Sequence, residues 1–94
     1  MTKQDEFDKA CVSGNTETVK LLIADERVNP AAWDNEAIRL ASWYGNTKIV
    51  KLLLADERVD PTANDNYAIR WASENGNTEI VKLLEQSIKE RSND

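Results

Sequence analysis

The stretch GNTKIVKLLLADERVDPTANDNYAIRWASEN, residues 45–75, is followed at Gly76 by GNTEIVKLL and preceded at Gly14 by GNTETVKLLIADERVNPAAWDNEAIRLASWY. Gly14, Gly45 and Gly76 thus stand 31 residues apart. A fixed period of this length is the signature of stacked repeats, in which each unit needs its neighbours to hide its apolar face.

One period reads as two helices and a connection. Ile49, Val50, Leu53 and Leu54 share a face at helical spacing, as do Ala37, Ile38 and Ala41 one helix earlier. Glycine at 14, 45 and 76 ends the first helix of each pair, because it accepts a left-handed C-terminal conformation. Asn15 or Thr16 is expected to cap the helix that follows, and Asp34 or Asn35 the next one, running through Tyr44. Val28-Asn29-Pro30 is extended, since proline pushes its predecessor out of the helical region, and 31–33 is a short loop. The turn at each glycine is so short that the two helices must be antiparallel neighbours. Before the first glycine, residues 3–13 form a helix with Phe7, Ala10 and Cys11 on one stripe. The polar tail Gln86–Asp94 is expected to fray.

At 94 residues the chain is one small domain, and about three stacked units is the usual minimum for stability. The ends differ from the middle. Thr18 replaces Ile49 and Ile80, and Glu85 replaces Ile23 and Leu54, as polar caps of a complete short array would. The expected division is an N-terminal cap unit at about 1–33, a middle unit at about 34–64 and a C-terminal cap unit at about 65–94.

The net charge is −5, from 17 acidic and 12 basic residues. That argues against nucleic-acid and anionic-membrane partners, which call for a basic face. No apolar run approaches the roughly 18 residues of a membrane span. A lone cysteine, Cys11, excludes an intrachain disulfide and suggests a reducing compartment, hence a cytoplasmic location. The chain has no histidine, so Cys–His and Ser–His nucleophilic designs are excluded. The Asp-Glu-Arg clusters at 25–27 and 56–58 read as solvated, self-compensated loops rather than a cation site. Neither phosphate-binding glycine motif occurs. No enzyme activity, metal or cofactor is expected.

The segments LASWYGNTKIVKLLL (40–54) and WASENGNTEIVKLL (71–84) resemble the most specific stretch of ankyrin repeats. The resemblance covers nearly the whole chain. It implies an all-α helix-turn-helix solenoid with short extended finger loops, whose finger and first-helix face binds a protein or peptide. The departures are a period of 31, Glu36-Ala37-Ile38-Arg39 and Tyr67-Ala68-Ile69-Arg70 at the first-helix start, and Gly-Asn after that helix. The missing residues fall in the finger. Arg39 and Arg70 are expected to reach loop carbonyls or a neighbouring unit's Asp.

Units 14–44 and 45–75 differ at ten of 31 positions. The five largest changes are Trp33/Asn64, Glu36/Tyr67, Leu40/Trp71, Trp43/Glu74 and Tyr44/Asn75, all on the finger or first helix. Tyrosine and tryptophan anchor interfaces because they bury large areas at little entropic cost. The candidate partner-binding residues are therefore Trp33, Trp43, Tyr44, Tyr67, Trp71, Glu74 and Asn75. Trp71 fits a half-buried helix contact equally well, since Leu40 and Lys9 occupy its site in the other units. The rival reading is a consensus-derived or engineered scaffold without a natural ligand. The expected state is a monomer or a weak homodimer through the aromatic face.

Overall fold

The computed structural model describes residues 1–92. It contains α1 (Lys3–Ser13), α2 (Thr16–Ile23), α3 (Ala32–Trp43), α4 (Thr47–Leu54), α5 (Ala63–Glu74) and α6 (Thr78–Ser92), with no strand among the described residues. The all-α expectation is met. The helices pair as α1–α2, α3–α4 and α5–α6, and the pairs stack. First helices α1, α3 and α5 form one layer, and second helices α2, α4 and α6 the other. The first helices pack on one another more closely than the second helices do, so the stack is tighter on that side. Alanines at 37, 41, 68 and 72, all buried, permit this approach.

The core is the repeated stripe foreseen from the pattern. Phe7, Ala10 and Cys11 of α1 meet Val19 and Leu22 of α2, and Ile38, Ile49, Val50, Leu53, Val59, Ile80 and Leu84 continue it through the stack. The glycines turn the chain with φ of +82°, +75° and +74°. Two of them also leave room for the next unit. A Cβ on Gly14 would stand 3.3 Å from Asn46 Oδ1, and one on Gly45 the same distance from Asn77 Oδ1.

That close approach carries a polar strap between units. Asn46 Nδ2 donates to the Cys11 and Val12 carbonyls, and Asn77 Nδ2 to the Ser42 carbonyl. Asn15, in the first pair of helices, instead accepts from Thr18 N–H and caps its own helix. The capping role expected of this position is thus seen at Asn15. At 46 and 77 the side chain satisfies carbonyls at the end of the previous first helix, which lack helical partners.

The finger holds the main departure from expectation. Asn29 Oδ1 accepts from Ala31 N–H, and Asp60 Oδ1 from Thr62 N–H, so each short finger loop closes with an Asx turn at its proline. Trp33, Asp34 and Asn35 then take left-handed backbone angles (φ +58°, +53° and +60°), repeated at Asn64, Asp65 and Asn66. This single left-handed turn occupies the place where a helix N-cap was expected, and neither α3 nor α5 has a side-chain cap. Asn35 is buried and accepts from Asp60 N–H of the next finger at 2.8 Å. Gln4 Oε1 does the same for Asn29 N–H at 2.7 Å, one unit earlier. Arg39 closes the left-handed turn by donating to the Asp34 and Trp33 carbonyls, and Arg70 donates to that of Asp65.

The tail also differs from the sequence reading. Helix α6 continues to Ser92 instead of fraying after Glu85, and only Asn93 and Asp94 lie outside the described residues. Arg91 gives the reason. Its guanidinium donates to the carbonyls of Val59, Leu54 and Asp56. Arg58 makes the equivalent bonds one unit earlier, to Val28 and Ile23. The position 31 residues beyond Arg58 is Lys89, so the last helix reaches the same carbonyls from a different register.

Candidate functional site

Tyr67 and Trp71 sit one turn apart on α5, with ring centroids 5.4 Å apart. Trp71 reaches across the stack to Trp43 of α3, at 4.2 Å between centroids and a tilt of 54°. The guanidinium carbon of Arg39 lies 5.0 Å from the centre of the Tyr67 ring. The three rings and the guanidinium form one row along the junction of α3 and α5. Each of these aromatic residues is half-buried. Such packing fixes the rings while leaving aromatic surface available, and tilted pairs of this kind add about 0.5–1.5 kcal/mol beyond area burial.

The structure sorts the seven candidates. It brings Trp43, Tyr67 and Trp71 into contact. Asn75 joins them by donating from Nδ2 to the Trp43 carbonyl, which anchors the end of α3. Glu74 is exposed beside them on the last turn of α5. Tyr44 is 55% exposed just beyond Trp43. Trp33 is 71% exposed at the other end of α3, on the left-handed turn, and takes no part in the ring contacts. Trp71 packs against Trp43 of the preceding unit and is half-buried.

Arg39 was not among the candidates. It is identical to Arg70 in the next unit, so a search for positions that vary between units passes over it. Its role comes from what stands next to it. Tyr67 faces Arg39, and nothing on the described residues covers Arg70 in that way.

Asp8 of α1 holds its proton more tightly than usual, chiefly because it is partly buried and further because Glu36 and Asp5 lie near. Burial, with a smaller contribution from Asp8, pushes the Cys11 thiol up to about 12, which makes it a packed apolar group and not a nucleophile. The finger aspartates behave oppositely. Asp25 and Asp56 are held below the usual carboxylate range by hydrogen bonds from Arg27 and Arg58. Each therefore serves its own turn, and among the described residues no group of three or more His, Cys, Asp or Glu is placed to hold a metal.

Comparison with known families agrees with this architecture. A family model described as ankyrin repeats (3 copies) matches residues 7–94. The chain belongs to the ankyrin repeat family. Ankyrin repeats are in general protein–protein interaction modules and typically non-catalytic, and this array has their helix-pair stack. No curated protein and no solved structure matches the chain. Against the family's usual period of about 33, the period here is 31, and the finger folds as an Asx turn followed by one left-handed turn.

Proposed function

We propose that this ankyrin array is a non-catalytic recognition module that binds a protein or peptide segment along its first-helix face. The observation that carries the reading is the row Trp43–Trp71–Tyr67, in mutual ring contact and only half-buried. Pre-packed rings lose little entropy when a partner lands on them. Trp33 supports the same reading. A bulky aromatic is held in the left-handed region, where its counterpart is asparagine, and its ring is spent on solvent. Strained, exposed residues of this kind concentrate at functional sites. Glu74 and Tyr44 flank the row, and Asn75 holds it in place.

The test is selection of binders from a displayed random-peptide library. The enriched peptides should bind the Trp43→Ala/Tyr67→Ala variant at least about tenfold more weakly, as expected when interface anchors are removed. Leu21→Ala, an exposed change on the second-helix layer, should leave binding as it was. Equal binding to wild type and the double variant, with circular dichroism unchanged, would place recognition elsewhere.

A further inference from the structure

The faces at the two ends of the stack are not alike. Ile38 and Val50 are fully buried in the middle unit, and Phe7 and Val19 in the first, but their counterparts Ile69 and Val81 are only half-buried. At the opposite end Leu21 is 76% exposed, whereas its counterparts Leu52 and Leu83 are partly covered by the preceding unit. Each end therefore keeps some of the apolar residues that inner junctions cover, although Thr18 and Glu85 stand where other units have isoleucine or leucine.

The contacts inside the molecule supply a register for pairing these ends. Three side-chain contacts cross the junction between the second and third units: Arg39 with Tyr67, Trp43 with Trp71, and Lys51 with Glu79 at 3.7 Å. Each joins a residue to the one 28 positions later. Suppose a second copy sits with its α1 one unit beyond α5, where a fourth first helix would lie. The same offset then places Asp5 of that copy on Arg70, its Lys9 on Glu74 and its Glu17 on Lys82. All three pairs are of opposite charge. The asparagine strap continues as well. Asn15 of the second copy falls at the position from which Asn46 and Asn77 reach back, facing the Ser73 carbonyl.

This complementarity does not follow from repetition. At the same offset the first junction holds Asp8 against Glu36 and Lys20 against Lys48, both like-charged. Burial is the main reason Asp8 holds its proton more tightly than usual, and Glu36 adds to it. The C-terminal turns of α6 are tied to the middle unit, where Arg91 donates to the Leu54 and Val59 carbonyls.

We infer that the two end faces are complementary to each other, so that copies of this chain associate head to tail. The junction pairs Arg70, Glu74 and Lys82 of one copy with Asp5, Lys9 and Glu17 of the next, and covers Ile69, Val81 and Leu21. The contact is heterologous, and one junction leaves a free face at each end, so association proceeds to short open chains rather than stopping at a symmetric dimer. It is distinct from a dimer formed through the aromatic row.

Sedimentation velocity on the full chain tests this, from about 1 to 500 µM at low salt, where exposed charge pairs act most strongly. The head variant is Lys9→Glu/Glu17→Lys and the tail variant is Glu74→Lys/Lys82→Glu. Wild type should show concentration-dependent species beyond the dimer. Each variant alone sets like charges against like and should lose association by at least about tenfold, from summed small pair terms. An equimolar mixture of the two should recover it, because head-variant and tail-variant faces are again opposite. Circular dichroism checks that each variant is folded. A wild type that stays monomeric over this range overturns the inference, as does a variant that associates like the wild type, or a mixture that fails to recover. Association abolished by Trp43→Ala but untouched in the head variant also overturns it, and points to the aromatic row instead.

Discussion

Trp33 carries the clearest conflict between a residue and its backbone. L-residues enter the left-handed region at a cost of roughly 1–2 kcal/mol, least for asparagine and aspartate. The chain places Asp34 and Asn35 there, and Asn64, Asp65 and Asn66 one unit later, but also a tryptophan. Trp33→Asn, which copies the second unit into the first, should therefore stabilise the fold by about 0.5–1 kcal/mol in chemical denaturation. A loss of stability would mean that the indole makes contacts worth more than the strain. The aspartate and asparagine preference was visible in the sequence, but it read there as helix capping. The same residue types serve both purposes, and only the buried bond from Asp60 N–H to Asn35 shows which one is in use.

Among the elements, α6 shows how the period can be kept in function and broken in sequence. Arg58 ties the finger of its unit to the carbonyls of the unit before, and Arg91 repeats those bonds from a helix. Arg91→Ala leaves three carbonyls without their charged donor and should cost about 1–3 kcal/mol by urea denaturation. Lys89→Ala, at the register position of Arg58, is exposed and should stay within about 0.5 kcal/mol. If Lys89→Ala proved the more damaging change, the substitution of register described above would be wrong. The fraying expected of this tail came from counting apolar residues. A guanidinium that binds distant carbonyls adds nothing to such a count.

Taken as a whole molecule, the array is held by an apolar stack whose edges are tied by charged turns, and this sets its response to acid. Asp5, Asp25, Asp56 and Asp60 all have folded pKa values below normal; for Asp56 the hydrogen bond from Arg58 is the largest cause. A carboxylate with a depressed folded pKa adds stability above its unfolded value. That stability is lost as pH falls through the folded value, for Asp25 about 2. Asp8 works with the opposite sign, since its raised pKa makes protonation favour the fold. Four groups against one predict a melting temperature that drops as pH falls from about 4 toward 2. Asp56→Asn should melt lower than wild type at pH 7 and show a shallower acid limb. An acid limb as steep as that of wild type would rule out Asp56 as a contributor.

The sequence by itself determined the period, the helix pairs, the glycine turns and the buried stripe. Each of these is a local or periodic property: a side-chain spacing of one helical turn, or a backbone angle that glycine takes freely. It also marked the first-helix positions where the units differ, and so found Trp43, Tyr67 and Trp71. Only the tertiary structure decided that these three touch, that Arg39 belongs with them, and that Trp33 stands apart. It alone showed Asn46, Asn77 and Arg91 spanning units and the end faces left with uncovered isoleucine, valine and leucine. These are relations between residues about 30 positions apart in the chain, and their partners are backbone carbonyls or neighbouring rings, which carry no local pattern for the sequence to display.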